Sequence, residues 1–153
     1  MSRTSAAVAG LSAGAVATVA MSAVMVTGNR IGLMTEQPPT VVTTRALRTA
    51  GVQRPTAAAS LVAPVSHLGF GAAGGLLYAL LRRLVPDAPG GMLGVAFGLA
   101  VWAVSYVGWI PALGILPPPG SDERGRPAVM VAAHVVYGLV LGRLVRAPTV
   151  RAV

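Results

Sequence analysis

The sequence predicts an all-α fold: an integral membrane four-helix bundle built from two repeated helical hairpins. Three observations point to it. Of the 153 residues, 54% are hydrophobic and only 10% are charged, against about a quarter charged in an ordinary soluble domain. The apolar residues gather into four runs, each about as long as a crossing of the roughly 30 Å hydrocarbon layer requires. The second and fourth runs also carry stretches that overlay, "HLGFGAAGG" from His67 and "HVVYGLVLG" from His134.

The first run, 6–26, is free of charge. A cleaved signal peptide is the competing reading, with "AVA" at 15–17 as its cutting site. The apolar stretch continues well past that point, so a retained span is expected. The second run covers 61–81 and is stopped by Arg82 and Arg83. The third covers 90–110 and ends at Trp109, a residue type that favours the membrane interface. The fourth covers 128–145, with Arg143 near enough to its end to reach the head groups. Each run must be helical, because hydrocarbon offers no partner to an unpaired backbone group. The whole chain, 1–153, therefore reads as a single membrane domain. Its polar connections are 27–60, in which "TTRALRTAG" has the makings of a short surface helix, and the proline-rich 111–127.

Charge and composition exclude several function classes. There is no cysteine, which removes disulfides and thiolate metal sites. The net charge of +8 comes from twelve arginines without a lysine. These sit where apolar runs stop rather than in a basic, aromatic-rich patch, so they read as partners of lipid head groups, with no nucleic acid. If both termini share a side, the arginines divide six against six. The set nearer the membrane, without Glu36, Asp122 and Glu123, leans towards cytoplasmic termini. No nucleophile elbow, phosphate loop or zinc-protease motif occurs, and Asp87, Asp122 and Glu123 read as turn formers or solvated charges. The expectation is a protein that is not an enzyme.

The repeat extends beyond the histidines. Gly10 and Gly14 in the first run are matched by Gly94 and Gly98 in the third, and Ser22 by Ser105. Proline-bearing turns follow both, and each is followed by a histidine helix. On a helix, His67, Phe70, Gly71, Gly74, Gly75 and Tyr78 share one stripe, as do His134, Tyr137, Gly138, Leu141 and Gly142. Glycines permit close backbone approach where lipid supplies no hydrophobic drive, so the histidine face is expected to be the packing face. A twofold axis along the membrane normal would set both imidazoles roughly 10 Å below the same surface.

Ionisable side chains inside a span are candidates for function. His67 and His134, with Tyr78, Tyr137, Ser105 and Tyr106, form the candidate proton or ligand site. Three readings stay open. The rings bond across helices, to Ser66 or Tyr106 for instance; or they sense or relay protons, histidine being the side chain that titrates nearest neutrality; or they ligate a haem or metal. Two imidazoles alone do not complete a structural zinc site, so no metal site is assigned and no cofactor beyond the haem alternative. Partners are the lipid bilayer and, through the glycine faces, a second copy or another membrane protein, the latter as for an assembly subunit of a larger membrane complex.

The segments "HLGFGAAGGLLYALLRRLVP", "IPALGILPPP" and "HVVYGLVLGRLVR" are similar to the YagU-like family of small bacterial inner-membrane proteins, over roughly residues 64–146. The resemblance implies a multi-pass protein of the inner membrane associated with acid resistance.

Overall fold

A computed structural model describes residues 3–52 and 57–146, and every regular element among them is helical. In chain order these are α1 (Arg3–Arg30), α2 (Pro38–Thr49), α3 (Ala57–Leu84), α4 (Gly90–Ala112) and α5 (Arg126–Leu144). Helices α1, α3, α4 and α5 are each long and apolar enough to cross a membrane. The chain is thus a multi-pass membrane protein. Large apolar side chains such as Val16, Val19, Val65, Leu80, Met92 and Val107 point outward, as a lipid-facing surface requires.

The helices run past the apolar limits expected from sequence, because polar residues at their ends find backbone partners. The Thr27 hydroxyl donates to the Ala23 carbonyl. The Asn29 amide donates to the carbonyls of Met34 and Thr35. Gly32, at φ +79°, then turns the chain, and the Leu33 N–H returns to the Gly28 carbonyl. That conformation is cheap for glycine and costly for other residues.

Helix α1 packs closely on α3, α4 packs closely on α5, and α1 joins the two pairs by lying against α5. Glycine makes both pairings. A methyl group at Gly10 would come within 2.7 Å of the Ala79 side chain and 2.9 Å of the Gly75 carbonyl; one at Gly14 would strike the Gly71 carbonyl. In the second pair, a methyl at Gly94 would strike the Gly138 carbonyl, and one at Gly98 the carbonyl of His134. Gly71 and Gly75 of one histidine-bearing stripe and Gly138 and Gly142 of the other thus lie at close contacts, whereas Phe70, expected on the same packing face, is 56% exposed.

One consequence departs from the sequence reading. By contact, Gly14 stands to Gly71 as Gly98 stands to His134. The residue that holds in the α1–α3 pair the place of His134 in the α4–α5 pair is thus Gly71 and not His67, one helical turn away. His134 sits at the closest approach of its pair, whereas His67 lies a turn outside its own. Accordingly His134 is buried and His67 only partly so.

Helices α3 and α4 follow each other in sequence yet barely touch. Tyr78 ties them at one end, its hydroxyl donating to the Gly90 carbonyl at 2.9 Å and its ring lying 5.4 Å from that of Phe97. Beyond that end they diverge. Helix α4 also changes pitch: residues Ala103–Trp109 form a π-helical stretch in which the Ile110 N–H reaches back to the Ser105 carbonyl. Pro111 follows immediately; it has no N–H, and its ring would crowd the Val107 carbonyl in a regular α-helix. Helix α2 begins with Pro38 at its first turn, packs on α3, and sets Val41 and Val42 against the core while Arg45 and Arg48 face out.

Candidate functional site

The divergence of α3 and α4 leaves a cavity of about 610 Å³ among the four spans, covered at one end by Pro38 and Val42 of α2. Its wall is mainly apolar: Met21 and Met25 from α1, Phe97 and Val101 from α4, Met130 from α5. Among these residues stand His67, His134, Tyr137 and Ser105. The side towards lipid is open between α3 and α4, where Phe70, Leu77 and Val104 are 56%, 58% and 68% exposed.

His134 is 4% exposed. Its Nδ1 lies 2.7 Å from the Met130 carbonyl in its own helix. A carbonyl only accepts, so Nδ1 carries the proton and the neutral ring offers Nε2 as an acceptor. His67 is less buried, but its Nε2 is enclosed and has no hydrogen-bond partner. Both rings line the same cavity. Tyr137 donates its hydroxyl to the Gly71 carbonyl at 2.7 Å, joining α5 to α3 across the cavity floor. A side chain at Gly74 would collide with that hydroxyl.

Ser66 and Tyr106, considered as interhelical partners for the histidines, are engaged elsewhere, as is Ser105. Ser66 donates to the Val62 carbonyl, Ser105 to the Val101 carbonyl, and Tyr106 to the Asp122 carboxylate. The six candidate residues thus divide. His67, His134, Tyr137 and Ser105 share the cavity; Tyr78 and Tyr106 do not line it, one tying α3 to the start of α4, the other entering a separate polar cluster. Among the described residues no three His, Asp or Glu side chains converge as a metal would require.

Residues 4–151 match a family of unknown function, DUF6789. The chain belongs to this family. No curated protein and no solved structure matches it. For this DUF6789 protein, residue geometry therefore carries the functional argument.

The polar cluster lies beyond the cavity, where α5 begins. Asp122 accepts from Tyr106 and Arg126, and Glu123 accepts from Arg126 at 2.6 Å. The Asp122 and Arg126 side chains are 1% and 5% exposed. Glu123 also takes the hydroxyl and N–H of Thr35, at 2.6 and 2.8 Å, from the connection after α1. These Thr35 hydrogen bonds, helped by Arg126, hold the Glu123 carboxyl below its ordinary 4.5. The reading of Asp122 and Glu123 as mere turn formers or solvated charges is corrected: they fasten the α1–α2 and α4–α5 connections together. The available signal was opposite charge at i and i+4, Asp122 and Arg126, astride a helix start.

Proposed function

We propose that this DUF6789 protein is a non-enzymatic, proton-responsive protein of the bacterial inner membrane, related in kind to the YagU-like proteins, that contributes to acid tolerance through His67 and His134. The observation that carries this reading is the shared cavity. Both imidazoles line it and, among the described residues, no carboxylate or arginine does. The facing groups are Thr18, Met21 and Met25 from α1, prolines, Val42 and Thr43 from α2, and Ser105 from α4. Among the described residues Tyr137 is the one other titratable side chain in the lining. A proton taken by either ring would place an uncompensated cation at membrane depth, which is costly. The seam between α3 and α4 is the part of the bundle with least packing to resist separation. Acid should therefore widen it.

The same reading treats α1–α3 and α4–α5 as two copies of one hairpin. Its support is the recurrence of the glycine contacts, Gly10 and Gly14 on α3 and Gly94 and Gly98 on α5.

The absence of cysteine makes the test direct. Spin labels at Ala73→Cys and Ala100→Cys, both exposed positions on the cavity rim, report the seam distance in bilayers. On going from about pH 7.5 to about pH 4.5, a range that spans histidine titration, the distance should lengthen. The His67→Gln/His134→Gln background should abolish the change. A distance that ignores pH, or that still responds without both histidines, removes the proposal.

A further inference from the structure

The polar groups of the cavity have a common bias. Thr18 donates its hydroxyl proton to the Gly14 carbonyl at 2.8 Å, Ser105 to Val101 at 2.7 Å, and Tyr137 to Gly71 at 2.7 Å. Ser66 donates to Val62 at 2.6 Å, and Nδ1 of His134 to Met130 at 2.7 Å. Each proton is committed to a backbone carbonyl, so what these groups turn to the cavity is lone pairs. His67 and Trp109, both in the lining, carry ring N–H groups besides. Among the described residues no charged side chain lines the space. Such a wall has nothing to neutralise a carboxylate or phosphate, and an unpaired anion at this depth is costly. It does suit an uncharged molecule that brings its own donor.

Access and size narrow the occupant further. The opening lies between Phe70 and Leu77 on one side and Val104 on the other, within the lipid-crossing segments. A ligand enters from the bilayer. The volume, about 610 Å³, falls within the roughly 300–1,000 Å³ of small-molecule sites.

We infer that the cavity binds a neutral long-chain lipid bearing a free hydroxyl, the chain lying along the Met21, Met25 and Phe97 wall and the hydroxyl donating to Nε2 of His134. This goes beyond the proton reading and does not require it. The chemistry is shared by long-chain alcohols, polyprenols and diacylglycerols. Anionic lipids and fatty-acid anions are disfavoured because the lining lacks a cation.

The test is saturable binding of tritiated oleyl alcohol to the full chain in phosphatidylcholine nanodiscs, held at neutral pH so that its outcome is separate from the seam-distance measurement. Oleyl methyl ether, with the same chain but no donor, should compete about tenfold less well, the worth of one hydrogen bond in a site closed to water. Oleate should compete no better than the ether. Ala100→Phe, at an exposed position on the rim, should remove saturable binding, whereas Gly69→Ala, whose added methyl meets nothing, should not. His134→Phe should retain chain binding while losing the preference for alcohol over ether. Equal competition by alcohol and ether in the unmodified protein overturns the inference. So does tighter binding of oleate, or undiminished binding in Ala100→Phe.

Discussion

Single side chains at the head of α5 do more than the sequence indicated, and their burial sets the size of the effect. Asp122 and Arg126 are withdrawn from water, where an ion pair adds little net stability but an unpaired member is expensive. Asp122→Ala should thus lower stability by about 3–5 kcal/mol, measured by denaturant unfolding in detergent micelles. The Asp122→Asn/Arg126→Met pair, which removes both charges, should recover a large part of that loss. A double substitution as damaging as Asp122→Ala would remove the ion pair as the cause. Glu123 makes a separate prediction for pH. Its carboxyl is held low in the folded state by Thr35, so the tether is complete above the unfolded value and is lost as pH falls through the lower folded one. Thr35→Val should raise the Glu123 titration midpoint towards 4.5, read by carboxyl-carbon NMR. An unmoved midpoint would mean that Arg126 alone sets it.

At the scale of helices, packing rests on where a methyl group fits. Gly75 faces the Gly10 carbonyl and lies against Gly14, with 2.6 Å to that Cα from an added Cβ. Backbone cannot move aside as a flexible side chain does, so Gly75→Ala should cost about 1–3 kcal/mol. Gly69, six residues earlier on the same helix, meets nothing, and its alanine variant should stay within about 0.5 kcal/mol of the parent. Equal effects in unfolding titrations would show that helix propensity and not contact governs both sites. These elements were legible in the sequence because apolar run length and glycine spacing are local properties. The π-helical stretch was not: Pro111 announces a disturbance but not the widening of the turn before it. The exact pairing register escaped for a related reason. The alignment matched His67 with His134, but packing follows the closest backbone approach, which matches Gly71 with His134. The cavity was likewise invisible, since it arises from two adjacent helices that fail to meet, and the Thr35–Glu123 bonds span 88 residues.

For the molecule as a whole, the remaining question is which end faces the cytoplasm, and the structure changes the terms in which sequence left it balanced. The end bearing the α3–α4 turn carries Arg82, Arg83, Arg143 and Arg146 close to the span limits. The opposite end carries Arg30, Arg45, Arg48, Arg124 and Arg126. Of that second set Arg126 is buried between two carboxylates, so it is not presented to head groups, and Arg45 and Arg48 sit on the outer face of α2. Arg82 is buried too, but it caps the Val85 and Pro86 carbonyls at 2.7 and 3.0 Å, and among the described residues no carboxylate pairs with it. Its charge is retained at the membrane edge. Arginine close to span ends biases an end to the cytoplasm, so the α3–α4 turn is expected inside and the α4–α5 connection outside. With no native cysteine to interfere, single cysteines at the exposed positions Asp87 and Ser121 decide the matter. In intact cells an impermeant maleimide should modify Ser121→Cys and should reach Asp87→Cys only after permeabilisation. The reverse pattern would place the Tyr106–Asp122–Arg126 cluster in the cytoplasm, and with it the end of the histidine cavity that α2 covers.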